Sequence, residues 1–219
     1  MKPYFDRDGI TIYHADCADI LPEIDPATVG LLLTDPPYGI AHNTDYTRFA
    51  SKHAYVPVAG DNQPFDPAPL FRFPRLALFG ADRYYHRLPP GGSWVIWIKR
   101  TLEHLATADD IPLSSAEALW HNLSGRPIDL FPWYWHGAYR QGEMGSHLHP
   151  TQKPVALMRW LIEKWTKPGD LVLDPYMGSG PIAQACLELG RRYIGIEIDE
   201  DYCRVTVEHR LGQATLPYG

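Results

Sequence analysis

Three things are scarce in this sequence: cysteine pairs, long apolar runs and positive charge. Its 219 residues include three cysteines, Cys17, Cys186 and Cys203, which are widely spaced and form no CxxC pattern. This argues against a disulfide framework and against a zinc site. No apolar run has the length that a bilayer span requires, and the first residues contain no apolar segment of a secretory signal. We therefore expect a cytoplasmic protein with reduced thiols and no membrane partner.

The order of the apolar segments predicts an α/β fold. Segments typical of buried strands cover residues 9–14, 29–34, 76–80, 94–99, 170–174 and 193–197. Apolar residues at helical spacing cover 154–165, which opens with proline, and 180–189, which stops at Gly190. Strands that alternate with helices of this size indicate a doubly wound, mostly parallel sheet.

The middle of the chain is less regular. Residues 40–70 contain several Pro, Asp and Asn without a clear period, which predicts a long loop. Residues 101–150 mix short apolar stretches with aromatic side chains and predict one or two strands. The total length suits a single domain over residues 1–219.

The tetrapeptide Asp35-Pro36-Pro37-Tyr38 directly follows the strand predicted over 29–34. In an open α/β sheet, ligands bind beyond the carboxyl ends of the strands. The two prolines form a stiff segment that presents carbonyl oxygens, while Asp35 adds a carboxylate and Tyr38 a flat ring. An exocyclic amino group of a nucleobase needs hydrogen-bond acceptors, and its ring needs a stacking surface. The tetrapeptide suits that task; a strand-ending turn without chemistry is the alternative.

A second candidate site is the glycine turn DPYMGSG over residues 174–180, between a predicted strand and a predicted helix. Gly178 and Gly180 allow close approach of a ligand, and the N-terminus of the helix favours an anionic group. The turn is neither GxGxxG nor a P-loop, which argues against a dinucleotide or a nucleoside triphosphate. Glu197 ends the next strand, at the spacing where a carboxylate receives ribose hydroxyls. Together they indicate an adenosine-containing ligand; a plain turn and a solvated Glu197 are the alternative.

Four segments now stand in one order along the chain. They are HADCADIL (14–21), DPPY (35–38), HPTQKP (149–154), and DPYMGSG followed by GIEID (174–180 and 195–199). In this order they resemble the beta class of S-adenosylmethionine-dependent DNA amino-methyltransferases, in which the motifs are circularly permuted. The resemblance covers both ends of the chain well and residues 40–148 only loosely. It implies a Rossmann-like methyltransferase sheet, S-adenosylmethionine as cofactor and DNA as substrate.

The resemblance also implies roles for individual residues. Asp35, Pro36, Pro37 and Tyr38 are implied to be catalytic and to hold a base flipped out of the DNA helix. The implied cofactor-binding residues are Asp16 and Cys17 at the adenine ring, Glu197 at the ribose hydroxyls, Thr151 and Lys153 at the carboxylate, Asp174, Met177, Gly178, Ser179 and Gly180 around the methionine part, and in addition Ile198. No metal site is expected.

The implied reaction is transfer of the methyl group to the exocyclic N6 of adenine in DNA, by direct attack and without a covalent enzyme intermediate. Asp at the first position of DPPY, where cytosine enzymes more often have Ser, favours adenine. Methylation of cytosine N4 is the first alternative. Methylation of RNA or of a protein glutamine amide, and a non-catalytic binding module, are more distant ones. The resemblance further implies that the chain can form a homodimer.

Target recognition is expected within residues 101–148, a short segment that predicts a small recognition site or relaxed specificity. The net charge of −6 at first argues against a nucleic-acid partner. Its distribution is uneven: −5 over residues 1–39, +1 over 40–153 and −2 over 154–219. The central cations predicted to contact the DNA backbone are Arg48, Lys52, Arg72, Arg75, Lys99, Arg100, Arg126 and Arg140. We therefore expect modest, salt-sensitive DNA affinity confined to one face.

Overall fold

A computed structural model describes residues 1–39, 59–101, 114–123, 125–136, 139–144, 148–149 and 151–212. The greater part of the loop predicted over 40–70 lies outside these residues, as do Arg48 and Lys52 and parts of the segment 101–148. Within the described residues, no helix is both long enough and apolar enough to cross a membrane.

The described residues contain eleven strands and four α-helices. The strands are β1 (Phe5–Arg7), β2 (Ile10–His14), β3 (Leu31–Thr34), β4 (Leu76–Phe79), β5 (Ser93–Ile98), β6 (Ala116–His121), β7 (Ile128–Pro132), β8 (Trp135–His136), β9 (Tyr139–Arg140), β10 (Leu171–Asp174) and β11 (Arg192–Glu197). The helices are α1 (Cys17–Ile20), α2 (Val155–Trp165), α3 (Pro181–Leu189) and α4 (Glu200–Val205), the last continued by a π-helix over Thr206–Leu211. All six predicted strands and both predicted helices are present, with ends within two residues of the expected ones.

Nine strands form one sheet in the order β1-β2-β11-β10-β3-β4-β6-β5-β7, and β8 pairs with β9 separately. Strands β2, β11, β10, β3 and β4 are parallel neighbours, and β5 pairs with β7 in parallel. Strand β6 lies between β4 and β5 and is antiparallel to both. The mostly parallel α/β fold is therefore confirmed.

The prediction of one or two strands within residues 101–150 was too low, because the described part of this segment contains four, β6 to β9. The sequence of β6, AEALWH, has neither a strict alternation nor a continuous apolar run. Its strand conformation depends on hydrogen bonds to β4 and β5, which lie on either side of it in the sheet and precede it in the chain. Pairing partners of this kind are not visible in local sequence.

Both faces of the sheet are covered, as a doubly wound fold requires. In β3, Leu31 and Leu33 point to the face covered by α2 and α3, while Leu32 points to the other face. That second face is covered by α1 and by the short helical segment Ala68–Arg72. Because both faces are buried, β3 consists of three leucines before Thr34, which is the pattern that made it predictable.

The core packing on the first face gives a stability prediction. Ile12 of β2 is completely buried, so Ile12→Val removes one methylene from a closely packed site. We expect the free energy of unfolding to fall by about 0.5–1.5 kcal/mol, measured by urea denaturation. The matched control is Ile128→Val on β7, where the side chain is 59% exposed and the change is expected to stay within about 0.5 kcal/mol. Equal losses for the two variants would contradict this packing.

Candidate active site

A cavity of about 1400 Å³ opens beyond the carboxyl ends of β2, β3, β10 and β11. The sequence-predicted residues that line it are Asp16, Cys17, Asp35, Pro36, Pro37, Tyr38, Thr151, Lys153, Asp174, Met177, Gly178, Ser179, Glu197 and Ile198. The remaining predicted residue, Gly180, is the N-cap of α3 and has a left-handed backbone. The volume exceeds that of a typical site for one small ligand, so a cofactor and a second group can be accommodated together.

The Asp35–Tyr38 segment is held from two directions. The Asp61 carboxylate accepts hydrogen bonds from the backbone N–H groups of Tyr38 and Gly39, at 3.0 and 2.9 Å. The ring of Tyr38 packs on Gly80, where an added Cβ would lie only 2.0 Å from ring atom Cε1. The position also has φ +62°, so glycine is required there both for space and for conformation. Together, Asp61 and Gly80 fix the direction in which this segment faces the cavity.

Asp35 is surrounded by donors. Tyr38 donates its hydroxyl proton to Asp35 Oδ1, and the ammonium group of Lys153 is paired with Asp35 Oδ2. Burial raises the pKa of Asp35, and the positive charge of Lys153 opposes that rise. The resemblance places Lys153 at the cofactor carboxylate, whereas in this structure its partners are Asp35 and Glu117; the predicted role stays a prediction.

Glu117, near the start of β6, is a site residue that sequence reasoning missed. Its carboxylate oxygens lie 2.7 Å from Lys99 Nζ and 3.3 Å from Lys153 Nζ. Burial by itself would raise the pKa of Glu117, but the two ammonium groups lower it to about 2. It escaped notice because β6 itself was not predicted, so no sequence signal placed this carboxylate beside Asp35.

The glycine turn and Glu197 are joined directly. Glu197 Oε2 accepts the N–H of Gly178 at 2.8 Å, and Oε1 accepts the N–H of Asp199 at 2.9 Å. The hydroxyl of Ser179 is buried and has no hydrogen-bond partner among the described residues. An unpaired buried hydroxyl in a turn that lines a cavity is available to a polar ligand. The N-terminus of α3 also points its partial positive charge toward this turn.

Other predicted cofactor residues have local partners as well. The Asp16 side chain caps α1 by accepting the N–H of Ala18 at 2.9 Å. Thr151 donates its N–H to Nδ1 of His149 at 3.2 Å, and the His149 ring packs against Tyr202. Ile198 is 51% exposed at the rim of the cavity. These contacts hold the residues in place around the cavity, and their roles toward the cofactor stay predictions.

Asp174 lies beneath the turn and is almost completely buried. Its carboxylate accepts hydrogen bonds from Thr34 Oγ1 at 2.6 Å, from the Tyr193 hydroxyl at 3.0 Å and from the Tyr176 N–H at 3.3 Å. Burial raises its pKa to about 7, although these three donors act in the opposite direction. The carboxyl group therefore links the three neighbouring strands β3, β10 and β11.

The raised pKa of Asp174 predicts a pH-dependent stability. Between the unfolded value of about 4 and the folded value of about 7, the native state holds a proton that the unfolded state has lost. This contribution therefore weakens the native state as the pH rises through that interval. We expect the unfolding free energy of Asp174→Asn, relative to that of the natural chain, to increase from pH 4 to pH 7. Urea denaturation at several pH values measures it, and a constant difference would contradict the assignment.

Glu143 is a second residue that sequence reasoning missed. Its carboxylate accepts the N–H of Val155 at 2.7 Å and the side-chain amide of Gln152 at 2.8 Å, and it pairs with Arg210 at 2.9 Å. Arg210 also donates to the carbonyl of Ser179. Glu143 thus connects the segment that precedes α2, the glycine turn and the C-terminal π-helix. The connection joins residues up to 67 positions apart, so no sequence spacing could have indicated it.

Most of the described cations predicted to contact a DNA backbone have partners within the protein or are buried, and the contacts themselves stay predictions. Arg75 donates to the carbonyls of Gly30 and Trp165, at the amino ends of the strands and away from the cavity. Arg72 donates to backbone carbonyls of the segment after α1. Arg100 and Arg140 are buried, and Lys99 is paired with Glu117. Among the described cations of that set, Arg126 is highly exposed, its partner Asp129 lying 3.9 Å away.

Comparison with known proteins identifies the family. A profile described as DNA methylase matches residues 91–208. "Putative methylase YubD" of Escherichia coli (strain K12) is 50% identical over 72 residues, which are 33% of this chain and 29% of that relative's length. Type II methyltransferase M2.DpnII of Streptococcus pneumoniae is 23% identical over an alignment of 257 positions that covers 93% of this chain and 90% of the relative.

Solved structures show the same fold. The M1.HpyAVI–SAM complex is 23% identical, with a TM-score of 0.54 over 92% of this chain and 98% of that chain. The cytosine-N4-specific PvuII DNA methyltransferase is 15% identical, with a TM-score of 0.65 over 100% of this chain and 90% of that chain. The profile match extends over more than half of the sequence and includes the glycine turn, Glu197 and the segment around Lys153. The chain belongs to the N6/N4 family of DNA methylases.

Proposed function

We propose that this protein transfers a methyl group from S-adenosylmethionine to the exocyclic N6 of an adenine flipped out of DNA. The sulfur–methyl bond breaks as the nitrogen–methyl bond forms, S-adenosylhomocysteine is released, and the amino group loses one proton. The observation that carries the proposal is the shared cavity that brings Asp35–Tyr38 together with the glycine turn and Glu197. One part of the cavity thus offers acceptors for an amino group, and the other offers the groups that suit an adenosine-containing cofactor. DNA methylases of the family provide the matching reaction.

The residues present fit the cofactor. Glu197 lies where ribose hydroxyls can be received, and its two carboxylate oxygens retain lone pairs beyond the two backbone bonds that they accept. The buried hydroxyl of Ser179 lacks a partner among the described residues, and the N-terminus of α3 favours the cofactor carboxylate. When bound, S-adenosylmethionine supplies an activated methyl group on its sulfonium.

Asp35 and the carbonyl of Pro36 would accept the two hydrogens of the target amino group. The nitrogen lone pair of a nucleobase amine is delocalised into the ring, and two accepted hydrogen bonds favour the geometry in which that lone pair is available. Tyr38 supplies a ring on which the base can stack, which offsets part of the few kcal/mol needed to unstack it. Because Asp35 is hydrogen-bonded to Tyr38 and Lys153, the incoming base competes with these donors for its carboxylate oxygens.

The choice of adenine over cytosine rests on the first residue of DPPY. Asp35 is a carboxylate where cytosine enzymes more often have a serine. Cytosine N4 remains the second candidate, because the PvuII enzyme of the same fold is cytosine-N4-specific. Both bases present an amino group beside a ring nitrogen, so Asp35 and the Pro36 carbonyl serve either one.

The deciding experiment identifies the modified nucleoside. Purified protein is incubated with unmethylated DNA and isotopically labelled S-adenosylmethionine, and the digested DNA is analysed by mass spectrometry. We expect label in the N6-methylated deoxyadenosine. Label in N4-methylated deoxycytidine would overturn the choice of base and keep the family reaction, whereas absence of labelled nucleoside on DNA of mixed sequence would overturn the proposed activity.

We further propose a single domain with target recognition within residues 101–148. The described part of that segment forms β6 to β9, of which β6 and β7 belong to the half of the sheet beyond β4. DNA would then lie along the carboxyl edge of the sheet. A digest that shows strict dependence on a long site would contradict the predicted short recognition sequence.

Homodimer formation is a further part of the proposal. Sedimentation at micromolar concentration tests it, and a monomer would refute it.

A further inference from the structure

We propose that Glu117 is a positioning residue of the methyl-transfer site, which holds Lys153 so that Asp35 can release it and bind an amino group. This inference rests on the proposed function, and it concerns a residue to which neither the resemblance nor the motifs assign any role. Glu117 would not touch the substrate; it would act through Lys153.

Four charged groups of alternating sign form a continuous chain at this point. Lys99 Nζ lies 2.7 Å from Glu117 Oε1, Glu117 Oε2 lies 3.3 Å from Lys153 Nζ, and Lys153 is paired with Asp35. The side chain of Lys153 is 5% exposed, whereas that of Asp35 is 20% exposed. Lys153 is therefore the more deeply placed member of its ion pair with Asp35, and it has two carboxylates within reach.

A buried ammonium group without a counterion is strongly destabilised. If Asp35 were the sole counterion of Lys153, an incoming amino group would have to compete with a cation, and success would leave Lys153 uncompensated. Glu117 removes that conflict, because its carboxylate compensates Lys153 after Asp35 has turned to the substrate. Lys99 in turn balances Glu117, which explains how a second carboxylate is tolerated so close to Asp35.

The same neighbouring groups also shift the pKa of Asp35. The titratable groups that act on Asp35 or are acted on by it are Lys153, Tyr38, Glu117, Tyr84 and Asp174. Burial raises the pKa of Asp35, Lys153 lowers it, and the negative charge of Glu117 raises it. Removal of the negative charge of Glu117 would take away one of the effects that raise the pKa of Asp35, while the lowering effect of Lys153 would stay. The pKa of Asp35 would therefore fall.

The test compares Glu117→Gln with the natural chain in steady-state methylation of DNA. We expect kcat to fall at least about tenfold, because the amino group then competes for Asp35 with a cation that has lost its second described carboxylate partner. The dissociation constant of S-adenosylhomocysteine, measured by calorimetry, should change by less than about twofold. The acidic limb of the kcat–pH profile should move to lower pH, a shift that a merely structural role would not produce.

Two further variants complete the test. Glu188→Gln is the matched control: this residue of α3 is paired with Arg159, its side chain is 15% exposed, and the variant should retain the natural kcat and pH profile. Glu117→Asp keeps the charge but shortens the reach to Lys153, so we expect a smaller loss of about threefold and a smaller shift of the acidic limb. If the glutamine variant does not fold, the aspartate variant provides the test in its place.

The outcomes separate the two proposals. If the natural chain methylates DNA and Glu117→Gln keeps its kcat and acidic limb, the role of Glu117 is refuted while the proposed function stands. The role of Glu117 is also refuted if the glutamine variant is unfolded and the aspartate variant matches the natural chain. If the natural chain methylates no DNA, the proposed function itself fails.

Discussion

Replacing Asp35 with alanine is expected to lower kcat for methyl transfer at least about 100-fold. The substitution removes the carboxylate that would accept from the target amino group, and it leaves Lys153 with Glu117 as its remaining described carboxylate partner. The cofactor residues lie on the other side of the cavity, around Glu197 and the glycine turn. We therefore expect the dissociation constant of S-adenosylmethionine to stay within about threefold of the natural value, measured by calorimetry.

The matched control for this prediction is Asp6→Ala. Asp6 is an exposed residue of β1 that accepts a hydrogen bond from Thr11, and strands β2, β11 and β10 lie between β1 and the strand that precedes Asp35. Its replacement should leave kcat unchanged. A kcat for Asp35→Ala within about threefold of the natural chain, with the modified nucleoside still formed, would show that the amino group is activated elsewhere.

Replacing Glu197 with glutamine is expected to weaken cofactor binding about 10- to 100-fold. A glutamine side chain keeps one acceptor oxygen but presents an N–H₂ group toward one of the two backbone N–H donors, those of Gly178 and Asp199. The turn then loses a charge-assisted hydrogen bond, and a ribose hydroxyl loses a charged acceptor. Titration of S-adenosylmethionine by calorimetry measures the loss directly.

Glu163→Gln serves as the control for this second prediction. Glu163 lies on the exposed side of α2, and the same change of chemistry there should leave the dissociation constant unchanged. If Glu197→Gln bound the cofactor as tightly as the natural chain, Glu197 would be a structural support of the turn and the ribose would be bound elsewhere. At saturating cofactor, kcat of the Glu197 variant should recover more fully than that of the Asp35 variant.

The Asp35 and Glu197 variants test the two parts of the cavity separately. Loss of kcat with intact cofactor affinity marks the Asp35 side, and loss of affinity with recoverable kcat marks the Glu197 side. The split follows from the sheet order, since Asp35 follows β3 while β10 and β11 carry the turn and Glu197. Strands β3 and β10 are neighbours in the sheet, although most of the chain separates them in sequence.

Much of the site was predictable because its residues follow strands with a strong local signal. The strands β3, β10 and β11 are short and mostly apolar, and a polar motif residue ends each strand or directly follows it. Since the carboxyl ends of parallel strands meet at one edge, Asp35, the glycine turn and Glu197 had to lie near each other. The motifs around them also carried the resemblance that led to the family.

Glu117 and Glu143 could not be found in the same way. Glu117 lies on a strand whose conformation depends on its neighbours, and Glu143 lies in a segment without a regular period. Likewise, charge counts indicated cations for DNA, while the structure places Arg75 at the far edge of the sheet and buries Arg100 and Arg140. A charge count contains no information about which carbonyl or carboxylate a long side chain will reach.

The order of the short apolar segments predicted an α/β protein from sequence alone, and the order of the motifs gave the resemblance to DNA methylases, while the scarcity of cysteine pairs and of long apolar runs argued against disulfides and membrane spans. The net charge of −6 determined little about a nucleic-acid partner, because its effect depends on where each charge lies. Only the tertiary structure decided that Asp35 is paired with Lys153, that Glu117 shares this lysine and that Asp174 is buried. Local sequence encodes strands and turns through short-range patterns, whereas the balance of buried charges depends on contacts between residues distant in the chain.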